Sequence, residues 1–416
     1  MTNKNLQGIK KFKFFEPEKP EELEGQKPLY YSLNDMIPIT LRIYDKYYYV
    51  AGKLKGDKRT NNTKLFRIVK IHPIGKIIEE YIPFTDCIID FDIVKSEGKP
   101  YFVVIGTDLR NKDDKSEAKI EILGNSNVNK VKIEPSGNGV PSIKFFDMTN
   151  LQTEVEEKNE IEDEKNKDKE KPKEVGILKT NDVIYLMTKK DNISDFFKGN
   201  PSNLTEAYVP ITNISCFSAS PILNSVSFSF QDSLVEINLE LSQRDKSIQY
   251  QLFLLNSQDK KNITNIKYLD NFLYFTTSDT TYYKKLGDPK INKVNMVGDE
   301  NMHSGADPHN FDINSEKKIL LSTSVTYYIE EYNWMDNSYI KLITKAYERQ
   351  TRFTQFFKNY YVFVLYEEEK PSLCVYDPLN NIFISLDETY KLKDILSVVT
   401  GNDRIYVLSS NLETKK

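Results

Sequence analysis

The sequence predicts an all-β fold, a seven-bladed β-propeller formed as one domain over residues 1–416. Three observations point there. Short segments of alternating or continuous apolar character recur about every ten residues, separated by polar turns containing Asn or Asp. From the midpoint onward they group in fours within roughly forty residues, the size of one blade of the WD40-like kind. The 26 Tyr and 23 Phe, in a chain 39% hydrophobic, supply aromatic bulk that favours strands and fills a large core.

Taken in order, Tyr47–Gly52, Lys64–Ile71 and Lys76–Ile82 make a first group, and Ile88–Val94, Tyr101–Gly106 and Ser142–Asp147 begin a second. Sixteen of the twenty-one residues from Glu154 to Glu174 are charged, so 152–175 reads as a solvated, disordered insertion. Strand character returns over Val175–Thr188. Four complete groups follow: Ile214–Phe217, Ser225–Phe230, Leu234–Leu239 and Gln249–Leu255; then Ile263–Tyr268, Phe272–Thr277, Thr281–Lys285 and Lys290–Val297. His309–Ile313, Lys318–Ser324, Val325–Tyr332 and Tyr339–Ala346 are next, then Phe353–Phe357, Tyr360–Tyr366, Ser372–Tyr376 and Ile382–Leu386. Only Leu392–Val399 and Arg404–Leu408 remain for a last blade, while Lys10–Phe15 is a strand without one. Pairing that N-terminal strand with the last blade would close the ring and hide its edges.

A charge of −4, from 57 basic and 61 acidic residues, leaves no basic stripe for a phosphate backbone, so nucleic acid is not an expected partner. No apolar run approaches the ~20 residues of a membrane span, and Met1–Phe15 lacks the apolar stretch of a signal peptide. Membrane contact is therefore expected to be peripheral or through partners. Cys87, Cys216 and Cys374 lie far apart without CxxC or Cys/His pairing, and read as buried free thiols in a reducing compartment.

Catalytic signals are sparse. His303 and His309, with Asp299 or Asp307, match no usual metal-ligand spacing, and a surface loop is the competing account. Asp90 and Asp92 lie on one side of a strand, where they could form an acid/base dyad of glycosidase type. The alternative is that they satisfy backbone amides. No G-x-S-x-G, GxGxxG or P-loop is present. No enzyme activity, cofactor or small-molecule substrate is expected. Tyr327, Tyr328, Tyr332 and Trp334 form a candidate interaction surface, with strand packing as the other account.

Several patches carry a resemblance. KKFKFFE opens the chain at Lys10, ISCFSASPILNSVSFSFQDSLVEINLELSQRDKS covers 214–247, PSIKFFDMTNL covers Pro141–Leu151, and LCVYDPLNNIFISLDETYKLKDILSV covers Leu373–Val398, followed by NDRIYVLSS. Together, and in this order, they resemble the N-terminal propeller of the vacuolar protein sorting-associated protein 11 family. Where that family has Asp-Gly this chain has Asp232-Ser233, and its Arg-Asp-Arg is Arg244-Asp245-Lys246 here. The family continues into an α-solenoid and a zinc-binding RING domain without counterparts in these residues, so a fragment or a shortened relative is expected. The resemblance implies a scaffold of HOPS- and CORVET-like tethering complexes. Its partners would be the other class C vacuolar-sorting subunits, on late endosome, lysosome or vacuole membranes. A propeller adaptor unrelated to tethering, or a propeller hydrolase, is the alternative.

Overall fold

The computed structural model describes residues 33, 36–54, 66–72, 77–96, 98–109, 118–122, 131–136, 139–149, 175–177, 182–189, 208–210, 214–220, 225–230, 233–238, 249–254, 263, 265–277, 281–293, 308–316, 318–323, 328–333, 338–344, 350–367, 370–380, 382–385, 392–401 and 404–412. Their regular structure is all strand. β1 (Met36–Tyr44), β2 (Tyr47–Leu54), β3 (Phe66–Ile71) and β4 (Ile77–Ile82) form an antiparallel first sheet. β5 (Cys87–Ser96) and β6 (Lys99–Leu109) start the second, the hairpin β7 (Lys119–Ile122) and β8 (Val131–Glu134) intervenes, and β9 (Gly139–Asp147) pairs back onto β6. β10 (Val175–Ile177) then adds in parallel to β4, and β11 (Asp182–Tyr185) adds to β9. β12 (Met187–Lys189) and β13 (Tyr208–Pro210) make a separate hairpin.

From there the order is regular. The third sheet is β14 (Ile214–Ser220), β15 (Ser225–Phe230), β16 (Ser233–Asn238) and β17 (Gln249–Leu254). The fourth is β18 (Asn265–Leu269), β19 (Phe272–Thr276), β20 (Thr281–Lys285) and β21 (Asn292–Lys293). The fifth is β22 (Pro308–Ile313), β23 (Lys318–Thr323), β24 (Tyr328–Asn333) and β25 (Ser338–Thr344). The sixth is β26 (Gln350–Phe357), β27 (Tyr360–Glu367), β28 (Lys370–Asp377) and β29 (Ile382–Ser385). A hairpin of β30 (Leu392–Thr400) and β31 (Ile405–Leu412) ends the described chain.

Ladder hydrogen bonds stay within each sheet among the described residues. Side chains join the sheets. Tyr49 and Ala51 of β2 face a core shared with Phe91, Phe102 and Phe146 of the second sheet, whereas Tyr48 and Val50 face Leu396 and Leu408 of the last hairpin. Such a strand is buried on both faces, which is why it reads as a continuous apolar run. Phe102, fully buried, meets Tyr49 and Tyr81 at ring separations of 5.4 Å. Further cores join the second sheet to the third (Val103 and Phe145 with Phe217 and Phe228), the third to the fourth (Leu234 with Ile266 and Phe275), and the sixth to the last hairpin (Val364 and Val375 with Ile395 and Val398).

The leading strands pack one on the next: β1 on β5, β5 on β14, β14 on β18, β18 on β22, β22 on β26, β26 on β30, and β30 back on β1. Six of these seven carry one extra residue against the strand beside them, at Pro38/Thr40, Ile88/Asp90, Ile214/Phe217, Pro308/Asn310, Arg352/Gln355 and Ile395/Ser397. A bulge sharpens twist and re-aims side chains. In β1 it lets Ile39 enter the core shared with the second sheet while Leu41 enters the core shared with the last hairpin. In a regular strand both would point the same way.

The sequence reading needs four amendments. β1 was not anticipated, because Pro38 and the bulge blur its alternation. The hairpin β7–β8 was also missed. Within the proposed 152–175 insertion, Val175 opens β10, and 152–174 lie outside the described residues. So does Lys10–Phe15, the strand expected to complete the last blade. Cys87 and Cys374 are buried, but Cys216 is only half-buried, its thiol 3.7 Å from Ile263 O.

Candidate functional site

A chain of polar contacts runs along the leading strands. The Arg42 guanidinium on β1 lies 3.2 Å from Asp90 and 3.5 Å from Asp92 on β5. Asp90 accepts from the Phe91 amide at 2.8 Å, and Asp92 from the Ile93 amide at 2.9 Å. The other Asp92 oxygen accepts from Ala219 N on β14 at 3.3 Å, bridging to the third sheet. Burial pushes the Asp90 carboxyl up, and Arg42 offsets part of that rise. The two carboxylates thus hold strands and amides together, the alternative that the sequence left beside a catalytic dyad.

The same device recurs three sheets on. Lys267 on β18 pairs with Asp312 on β22, which accepts from Ile313 N at 2.9 Å and from Phe356 N on β26 at 2.8 Å. The sequence repeats too: Phe91-Asp92-Ile93 matches Phe311-Asp312-Ile313, and Leu41-Arg42 matches Ile266-Lys267, each basic residue three positions before a turn Asp, Asp45 or Asp270, at positive φ. Between these units Ser227 of β15 and Tyr268 of β18 share a hydroxyl contact. Beyond them the Gln355 side chain donates to Val398 O and accepts from Thr400 N at 3.0 Å. Six consecutive sheet junctions therefore carry a polar link, and the last hairpin meets the first sheet in a shared apolar core with the Tyr48 and Tyr406 rings 4.9 Å apart.

Two buried groups stiffen the sheets. Lys284 of β20, fully buried, reaches Glu236 of β16 at 2.5 Å and lies 4.5 Å from the Phe253 ring centroid. Asp86 accepts from Thr107 Oγ1 at 2.6 Å and Ser136 N at 3.2 Å, tying the segment after β8 to the β5–β6 ladder. Burial pushes its carboxyl up, and pushes the adjoining Cys87 thiol up to about 12, too high for a nucleophile at neutral pH.

A cleft of about 350 Å³ lies between the first two sheets. Register builds it. Arg42, Tyr49, Lys70 and Glu79 stand directly opposite one another across β1 to β4, and Tyr44 stands opposite Tyr47, so all six share the face turned to the second sheet. Tyr44, Tyr47, Tyr49 and Tyr81 line the cleft with Asp45, Lys70 and Glu79, and Pro100, Met148 and Thr149 close it from the second sheet. Lys70 is bound to both Glu79 oxygens at 3.1 Å and lies 4.7 Å from the Tyr47 ring centroid; Tyr81 also donates to Glu79. Tyr49 is 2% exposed. Burial holds that phenol well above its ordinary range, with Glu79 and Asp45 adding to the rise.

Of the aromatic surface read from the sequence, Tyr328 and Tyr332 stand on β24, opposite Thr344 and Tyr339 of β25. Tyr327 and Trp334 lie outside the described residues, as do His303, Asp299 and Asp307. His309 belongs to β22 and not to a loop. Among the described residues there is no group of three or more His, Cys, Asp or Glu able to hold a metal, and no helix long and apolar enough to cross a membrane. The tyrosine cleft was not foreseen. Its residues are scattered from 44 to 149 and converge only through register.

No protein-family model matches the sequence, and no curated protein matches it. Solved structures that are similar include the WD40 domain of Neurospora crassa Pan2, 10% identical, with a TM-score of 0.30 over 40% of this chain and 47% of that one. The fold assignment rests on the sheets themselves.

Proposed function

We propose that this chain is a non-catalytic protein-interaction scaffold, a single seven-bladed β-propeller whose rigid ring presents its loops and clefts to partner proteins. The supporting observation is the succession of leading strands, each packed on the next and linked by side chains at six junctions, with the last hairpin sharing a core with the first sheet. A ring braced in this way holds surface groups in fixed register. Among the described residues the last blade holds two strands, and on this reading Lys10–Phe15 supplies another. Deleting residues 1–16 then lowers the melting temperature; an unchanged value would remove that closure.

The tethering reading rests on the patches at 10–16, 141–151, 214–247 and 373–398. On this reading the chain works beside other class C vacuolar-sorting subunits, from the cytoplasmic side of late endosomal, lysosomal or vacuolar membranes. Affinity purification of the tagged chain from its own cells, with mass spectrometry of the recovered proteins, tests it. Recovery of vacuolar-sorting subunits supports the tethering role. An unrelated set of partners leaves the scaffold and removes the tether.

A further inference from the structure

We propose that the tyrosine cleft between the first two sheets is a docking site for a basic side chain, lysine or arginine, carried by a partner protein. The inference does not depend on the tethering reading.

The cleft's chemistry is that of a cation receptor. Its walls are tyrosine rings, whose faces attract a cation electrostatically. Its own Lys70 shows the mode of binding, with the ammonium against the Tyr47 ring and on the Glu79 carboxylate. Lys46, from the β1–β2 turn, reaches the same ring at 5.7 Å, so Tyr47 is occupied from within. Among the described residues no such cation lies over the Tyr44 or Tyr49 ring. Beside them stands Asp45, exposed on the turn and without an ion-pair partner among the described residues. With Lys70 committed to Glu79, the lining residues carry one net negative charge.

A choline headgroup would bring the same kind of cation, but it carries a phosphate a few atoms away. Asp45 would repel that phosphate, and Lys70 is not free to neutralise it. A lysine or arginine on a peptide brings no such anion.

The test uses the full chain and capped Gly-Gly-X-Gly-Gly peptides, with X as Lys, Arg or norleucine, followed by saturation-transfer NMR at low salt. The Lys and Arg peptides bind with Kd of about a millimolar, as one side chain contact allows, and the norleucine peptide is silent. Asp45→Asn keeps the turn, since Asn tolerates the positive φ of 43° found there, and weakens binding about two- to fivefold. Tyr44→Leu weakens it about threefold or more, with folding verified by an unchanged melting temperature. Equal binding of norleucine, silence of all three peptides, or indifference to both substitutions would overturn the proposal. Sedimentation of the chain with phosphatidylcholine vesicles, abolished by Asp45→Asn while the peptides stay silent, would transfer the cleft to a lipid headgroup and overturn it too.

Discussion

Lys284 offers the sharpest quantitative test of how the sheets are held. Its ammonium, fully buried, sits 2.5 Å from Glu236, whose side chain is 9% exposed. Replacing Lys284 by Met leaves a buried carboxylate without its counter-charge and removes the cation from the Phe253 ring. Breaking one partner of a buried pair costs about 3–5 kcal/mol. Unfolding entropy near 60 °C is about 2.1 cal/mol/K per residue, which for 416 residues means that this loss lowers the melting temperature by about 3–6 °C. Scanning calorimetry of wild type and variant reads it directly. The double change Lys284→Met with Glu236→Leu removes both charges and fills the space, and should recover most of the loss, because a buried pair is nearly interchangeable with well-packed apolar groups. A single variant within 1 °C of wild type, or a double variant showing the sum of two separate losses, refutes the view that this pair matters through uncompensated burial.

Three further outcomes follow from named contacts. Asp312→Ala removes the acceptor of the Ile313 and Phe356 amides; it costs about 1–3 kcal/mol, and hydrogen exchange at Phe356 N accelerates, whereas unchanged protection would mean that the bridge between the fifth and sixth sheets is idle. Asp86 and Asp377 have carboxyls moved in opposite directions from 3.8, Asp86 up through burial and Asp377 down through bonds from Asn380 and Leu379. Stability contributed by Asp86 is therefore greatest below 3.8 and declines as pH rises through its higher value, while that from Asp377 is present above 3.8 and is lost as pH falls through its lower value. Melting curves against pH should show Asp86→Asn gaining on wild type as pH rises and Asp377→Asn falling behind; parallel profiles would contradict both. Gly106→Ala places a Cβ 2.3 Å from Cys87 O and 2.7 Å from the Phe84 ring, a backbone clash that no rotamer relieves, so a loss of about 1–3 kcal/mol is expected in urea denaturation.

Much of the strand order was legible because period-two burial imprints itself on sequence. β14 to β31 were each found within a few residues, since their buried faces alternate with polar turns such as Asp270-Asn271. β1 was not, because its extra residue at Pro38/Thr40 switches the buried face midway and destroys the alternation that would reveal it. The parallel addition of β10 to β4 pairs Val175 with Glu80, a long-range contact for which no turn or spacing leaves a trace.

The candidate site divides along the same line. The amide-satisfying role of Asp90 and Asp92 was readable from the habits of short acidic side chains, but their counter-ion was not, because Arg42 lies on a strand that had been missed. The recurrence of Phe-Asp-Ile at 91–93 and 311–313 was in plain view, yet it means little until register shows both aspartates tying a basic residue of the preceding sheet to an amide of the next. A motif that fixes one blade to two neighbours is a property of junctions, and junctions are long-range. The tyrosine cleft is the extreme case: Tyr44, Tyr49 and Lys70 are ordinary strand residues individually, and they become a receptor only because β1, β2 and β3 align them on one face. On the proposed scaffold reading, near-repeated sheets carry their specificity where the repeats differ. Asp270, the counterpart of Asp45 in the fourth sheet, is followed by Asn271 and Phe272 where the first sheet has Lys46 and Tyr47. Of these residues Tyr47 lines the cleft between the first two sheets, and Lys46 reaches its ring.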